Sequence, residues 1–101
     1  MATFVRVAAT SELEPGQCKP VTAGGRELAL FNVAGRFYAI DNSCAHRGGP
    51  LGEGFLEGSV VTCPWHGWTF DVTSGVCPVN PNLAIASYPV KVEGTEVHVE
   101  I

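Results

Sequence analysis

Leu28-Ala29-Leu30-Phe31-Asn32-Val33-Ala34-Gly35-Arg36-Phe37-Tyr38-Ala39-Ile40 reads as two apolar strands folded back on each other. Leu28, Leu30, Phe31 and Val33 sit in the first and Phe37 to Ile40 in the second, with the turn-like pair Ala34-Gly35 between them. Upstream, Gly24-Gly25 marks another tight turn, and Phe4, Val5 and Val7 open an earlier strand. Downstream, Tyr88 to Val92 and Thr95 to Ile101 flank Glu93-Gly94, and Val97, Val99 and Ile101 alternate with polar neighbours. That alternation predicts an antiparallel hairpin with one face buried. Ser11 to Glu14 outlines a helix start, but Pro15-Gly16 follows at once and limits it to one turn.

Between these strand-rich ends the pattern changes. Asn42 to Gly58 holds five glycines and one proline with little periodicity, and Cys63 to Phe70 carries both tryptophans. Such glycine-rich chain cannot close a core alone, and a metal centre would hold it. The expected fold is therefore all-β: an antiparallel base, sandwich or barrel, built from residues 1–41 and 80–101. A smaller, loop-built subdomain from about Asn42 to Val79 is inserted in it.

A chain of 101 residues has room for one domain. With 46% hydrophobic and 16% charged residues it is a compact globule, not a disordered segment. A net charge of −4 argues against nucleic acid, which needs a basic face. The opening MATFVRVAATSEL lacks the basic start, apolar run and cleavage site of an export signal, and no apolar run is long enough to cross a bilayer. A cytoplasmic location is expected. There disulfides are rare, so the four cysteines are ligands or free thiols.

Two motifs carry the chemistry: Cys44-Ala-His46 and Cys63-Pro-Trp-His66, with sixteen residues between His46 and Cys63. Each offers one thiolate and one imidazole, spaced so that both side chains reach one centre. Three kinds of site use such groups. Zinc takes four cysteine and histidine ligands, but its knuckles usually pair like with like, whereas each pair here is mixed. A cysteine–histidine hydrolase needs one thiol and one base, and two matched pairs are surplus to it. In the third, two histidines replace two cysteines on one iron of a two-iron, two-sulfide cluster.

The boxes Cys44-Ala-His46-Arg-Gly-Gly and Cys63-Pro-Trp-His66-Gly-Trp resemble those of the Rieske-type ferredoxins, and the resemblance spans nearly the whole chain. It implies one [2Fe–2S] cluster bound by Cys44, His46, Cys63 and His66. The cysteines hold the inner iron and the histidines the outer one, with their free ring nitrogens at the surface. Histidine ligation lifts the potential to roughly −150 to +300 mV, against about −400 mV for four-cysteine plant-type ferredoxins. High-potential members of the family add a cysteine to each box, joined as a disulfide, and a serine and a tyrosine that hydrogen-bond the cluster. The matching positions here are Gly49 and Trp65, then Trp68 and Phe70, so a potential near the low end is expected. The resemblance implies a monomeric carrier of single electrons, without catalytic residues of its own, from a flavin-dependent reductase to a terminal oxygenase. Both partners would dock transiently near His46 and His66. The alternative it leaves open is a small subunit of a nitrite reductase.

Other residues receive plainer readings. Cys18 and Cys77 are small core fillers, Cys77 lying in the proline-containing stretch after the second box. His98 is a surface histidine, out of phase with Val97 and Val99. Pro50, Leu51, Trp65 and Trp68 either shield the cluster or form an apolar docking face. Arg47 steers an acidic partner or stands solvated.

Overall fold

The computed structural model describes residues 3–42, 50–65 and 67–101. Among them there are twelve β-strands and two single 3₁₀ turns, and no α-helix. Strand β1 (Phe4–Ala9) leads through the 3₁₀ turn Thr10–Glu12 to β2 (Cys18–Ala23), β3 (Arg26–Val33) and β4 (Arg36–Asp41). Next come the 3₁₀ turn Leu51–Glu53, β5 (Phe55–Glu57), β6 (Val60–Thr62), β7 (Thr69–Asp71), β8 (Val76–Cys77) and β9 (Asn80–Ala84). The chain ends with β10 (Ser87–Tyr88), β11 (Val90–Glu93) and β12 (Glu96–Glu100).

The hairpin on which the sequence reading turned is present: β3 and β4 pair antiparallel from Leu28↔Asp41 to Val33↔Arg36. At its turn Ala34 (φ 52°) and Gly35 (φ 94°) are both left-handed, the two-residue geometry that matches strand twist. An alanine there costs on the order of 1 kcal/mol. Asn32 helps to offset it, its Oδ1 accepting from the Gly35 N–H at 2.8 Å while its Nδ2 donates to the Leu13 carbonyl at 2.9 Å.

Leu28 through Asn32 are all buried, because β3 lies in the middle of three layers. Its sheet runs β10-β4-β3-β2, and a second sheet runs β1-β12-β11. Leu28, Leu30 and Ala39 meet Val97 and Val99 of that second sheet in one core. Ala29, Phe31 and Ile40 point the other way, into a second core with Leu51, Val61, Phe70 and Val72. Alternate residues of one apolar run thus anchor two cores, a distribution that period-two geometry imposes.

The structure departs from expectation in two places. The middle segment, read as loops, contains a three-stranded antiparallel sheet, β5-β6-β7. Strands of three residues are too short to show an alternation. The stretch Tyr88 to Val92, read as one strand, is split at Pro89: β10 pairs with β4, and β11 with β12. Proline cannot donate to a ladder, so it falls where the chain leaves one sheet for the other.

Candidate iron–sulfur site

The second ligand box is built on the β6–β7 hairpin, whose last pair is Thr62↔Thr69. Beyond it the Cys63 N–H donates to the Trp68 carbonyl at 2.7 Å, and the Gly67 N–H to the Cys63 carbonyl at 3.1 Å. These bonds close a tight turn with Cys63 at its foot and Pro64-Trp65 at its exposed tip. Cys63 is 2% exposed and packs with Leu51, Val61, Phe70 and Cys77, with Trp68 against them. Trp65 is 57% exposed.

The frame of the first box is equally well defined. Asn42 ends the β4 arm, and its carbonyl accepts from the Leu51 N–H at 2.8 Å. Its side-chain Oδ1 accepts from the Gly52 N–H at 2.7 Å. From the 3₁₀ turn the chain runs through Gly54 into β5, which pairs with β6. A Cβ built on Gly54 would stand 2.3 Å from the Thr62 carbonyl, the residue before Cys63. Leu51 is fully buried in the core that holds Cys63. Both frames therefore rest on one apolar floor, the outward face of β3 and β4.

Of the four ligands expected from the sequence, Cys63 alone is among the described residues, at the buried foot of its turn. Cys44, His46 and His66 lie outside the described residues, as do Arg47 and Gly49. The donor chemistry of what is described fits an iron–sulfur group: a thiol removed from water, beside a second loop frame, with apolar walls. Phe70, fully buried, and Trp68, half-buried, add no hydroxyl to this wall. A cavity of about 550 Å³ opens beside the turn between Gly67, Trp68, Thr69, Cys77, Val79 and Asn80.

Cys77 is 1% exposed and fills the same core. Cys18 is half-buried, its thiol donating to the Gly54 carbonyl at 3.6 Å, and burial pushes its pKa up. The four alternatives for shielding or docking divide: Leu51 is interior, Pro50 and Trp68 are half-buried, and Trp65 faces solvent. His98 is less exposed than expected. It stands between Arg6 and Lys91 on the neighbouring strands, with Nε2 covered and 3.6 Å from Glu96 Oε1. Asn42 was not singled out in the sequence. Its signal was an asparagine at a strand end before a glycine-rich loop, a residue type that caps local backbone.

Fold and site define a small β-protein built to hold an iron–sulfur centre. The chain belongs to the Rieske [2Fe-2S] domain family, whose model matches residues 3–89, and with that family goes the two-iron cluster. It is 42% identical to the ferredoxin component of the naphthalene 1,2-dioxygenase system of Pseudomonas aeruginosa, over 97% of this chain and 95% of that one. Its structure is similar to the ferredoxin in the complex of reduced oxygenase and oxidized ferredoxin in carbazole 1,9a-dioxygenase. The TM-score there is 0.85 at 34% identity, covering 95% and 91% of the two chains. It also superposes on a putative NADH-dependent nitrite reductase small subunit from Mycobacterium tuberculosis, with TM-score 0.91 over 100% and 96% of the chains. At 23% identity that likeness shows a shared fold alone.

Proposed function

We propose that this protein is a low-potential Rieske ferredoxin that carries single electrons from a flavin-dependent reductase to a terminal oxygenase and is not itself a catalyst. The observation that carries this reading is Cys63, buried at the foot of an exposed turn and packed against the frame of the other ligand box. The near full-length similarity to dioxygenase ferredoxin components supports the assignment of partners. Cys44 and Cys63 hold the inner iron, and His46 and His66 the outer one, within a cluster-binding segment of about residues 42–79. When bound, the cluster supplies one reversible electron. The chain sets the conditions for it. Leu51, Phe70 and Trp68 keep water from the thiolate side. Trp65, exposed between the second cysteine and histidine, offers an apolar contact for a transient partner.

The reading places the protein in the cytoplasm as a monomer. Two aromatic side chains stand where hydroxyl donors would raise the potential, and no cysteine occupies position 49 or 65 to form a bracing disulfide. A midpoint potential below zero is therefore expected, by direct electrochemistry of the purified protein. A value well above zero contradicts the low-potential assignment. Reduction by a flavin reductase, followed by reoxidation only when an oxygenase and its aromatic substrate are present, tests the carrier role. Stable co-purification with a large haem-containing enzyme overturns it.

A further inference from the structure

We propose that Asn42 is a positioning residue for the cluster: its side chain closes the stem of the segment that carries Cys44 and His46, and so sets where those two ligands begin. The inference rests on the reading above, that this segment is a cluster-binding box. Asn42 is 7% exposed, one of two buried polar residues among those described. The other, Asn32, serves the β3–β4 turn and reaches back to the Leu13 carbonyl, enclosing neither ligand box. Asn42 instead bridges to a residue ten positions on in sequence, and the stretch so enclosed contains both ligands.

The clamp has two strands. The Asn42 carbonyl takes the Leu51 N–H and its Oδ1 takes the Gly52 N–H, at 2.8 and 2.7 Å. The asparagine is itself tied to the base. Its N–H donates to the Glu27 carbonyl of β3 at 3.2 Å, and the preceding Asp41 N–H donates to the Ala86 carbonyl at 2.9 Å. Gly52 must approach closely for this to work. A Cβ there would stand 2.5 Å from the Pro20 nitrogen and 2.9 Å from Asn42 Oδ1. The glycine is therefore pressed between β2 and the clamp. Joining the two ends of an intervening stretch lowers the entropic cost of closing it before any ligand binds iron.

Two substitutions separate positioning from bulk stability. Asn42→Leu keeps the volume and removes the acceptor, leaving the buried Gly52 N–H without a partner. Asn42→Asp keeps an oxygen at the Oδ1 position. The measurements are the rate at which an iron chelator bleaches the visible absorbance, the reduced-state paramagnetic resonance spectrum, and hydrogen exchange by mass spectrometry over residues 51–54 and 28–31. In Asn42→Leu, bleaching accelerates about tenfold, the loss of one buried hydrogen bond. Its resonance positions shift and exchange rises at 51–54, while 28–31 exchanges as in the parent. Asn42→Asp bleaches within about threefold of the parent and keeps 51–54 protected, since its acceptor remains.

Parental bleaching in Asn42→Leu overturns the proposal. So does an equal rise in exchange at 28–31, which would make Asn42 a general structural residue, or an Asn42→Asp protein that behaves like Asn42→Leu. A parent that shows no two-iron spectrum at all removes the functional reading and, with it, this inference. That outcome is visible before any variant is made.

Discussion

Leu51 and Leu30 are both fully buried leucines, but they belong to different cores. Truncating each to alanine removes the same atoms, and a fully enclosed site leaves a cavity that its neighbours only partly fill. The expected cost is about 3 kcal/mol in each case, within the roughly 2–5 kcal/mol range for such changes. A domain of this size has only about 5–15 kcal/mol in total, so both variants fold but lose a large share of their stability. Where the loss appears should differ. Leu30 lies between the middle sheet and β12, so its truncation should bring down the whole domain in one step. Leu51 lies between the middle sheet and the frames of both ligand boxes, so its truncation should open that side first. Urea titration of the cluster-loaded proteins, followed by far-ultraviolet circular dichroism and visible absorbance, separates the two. In Leu30→Ala the two signals are lost together; in Leu51→Ala the visible signal is lost at lower urea. Coincident transitions in Leu51→Ala, or a cost below about 1 kcal/mol, would refute the view that Leu51 seats the cluster frame on β3 and β4.

Three further outcomes are expected. Phe70→Tyr raises the midpoint potential on the order of 50 mV, the one-electron equivalent of about 1.2 kcal/mol from one added hydrogen bond; an unchanged or lower midpoint by protein-film voltammetry counts against the role assigned to the missing hydroxyl. Tyr88 donates to Asp41 Oδ1 at 2.8 Å and accepts from Arg26 at 3.3 Å. Burial, and then the Asp41 bond, push its pKa above the ordinary tyrosine value, with Arg26 opposing. Its folded pKa is the higher one, so its contribution is whole below about pH 10 and is lost as pH rises through the folded value. Tyr88→Phe should therefore cost about 0.5 kcal/mol at neutral pH and flatten the alkaline fall in urea midpoint, whereas an unaltered alkaline limb assigns that fall elsewhere. Burial also raises the Cys18 pKa, so its alkylation at pH 8 should run at least about threefold slower than that of a free thiol.

Much of this architecture was legible in the residues. The alternation of Val97 and Val99 with polar neighbours located an inward face, and both valines are fully buried. The Leu28 to Ile40 stretch gave its hairpin because a two-residue turn between apolar runs has few other solutions. That β3 would be covered on both sides was implicit in Leu28 to Phe31, four apolar residues without alternation. The small β5-β6-β7 sheet was not legible. Phe55 is exposed and Leu56 half-buried, and the glycines around them hid a pattern only three residues long. His98 was assigned to the outer face by phase, but its covered Nε2 was not legible; it stands opposite Arg6 and Lys91 of two other strands. The paired boxes raised the expectation of a mixed ligand set by type and spacing, and of that set Cys63 is among the described residues. Asn42 escaped notice because its partner is a backbone N–H ten positions away, and no side-chain pattern encodes such a bond.

The central claim is mixed ligation of a two-iron cluster in this chain, and pulsed electron–nuclear resonance of the reduced protein tests it most directly. The account predicts two strongly coupled imidazole nitrogens, with His46→Ala and His66→Ala each removing one. A reduced centre without nitrogen couplings, or a colourless protein holding one zinc ion per chain, would contradict it.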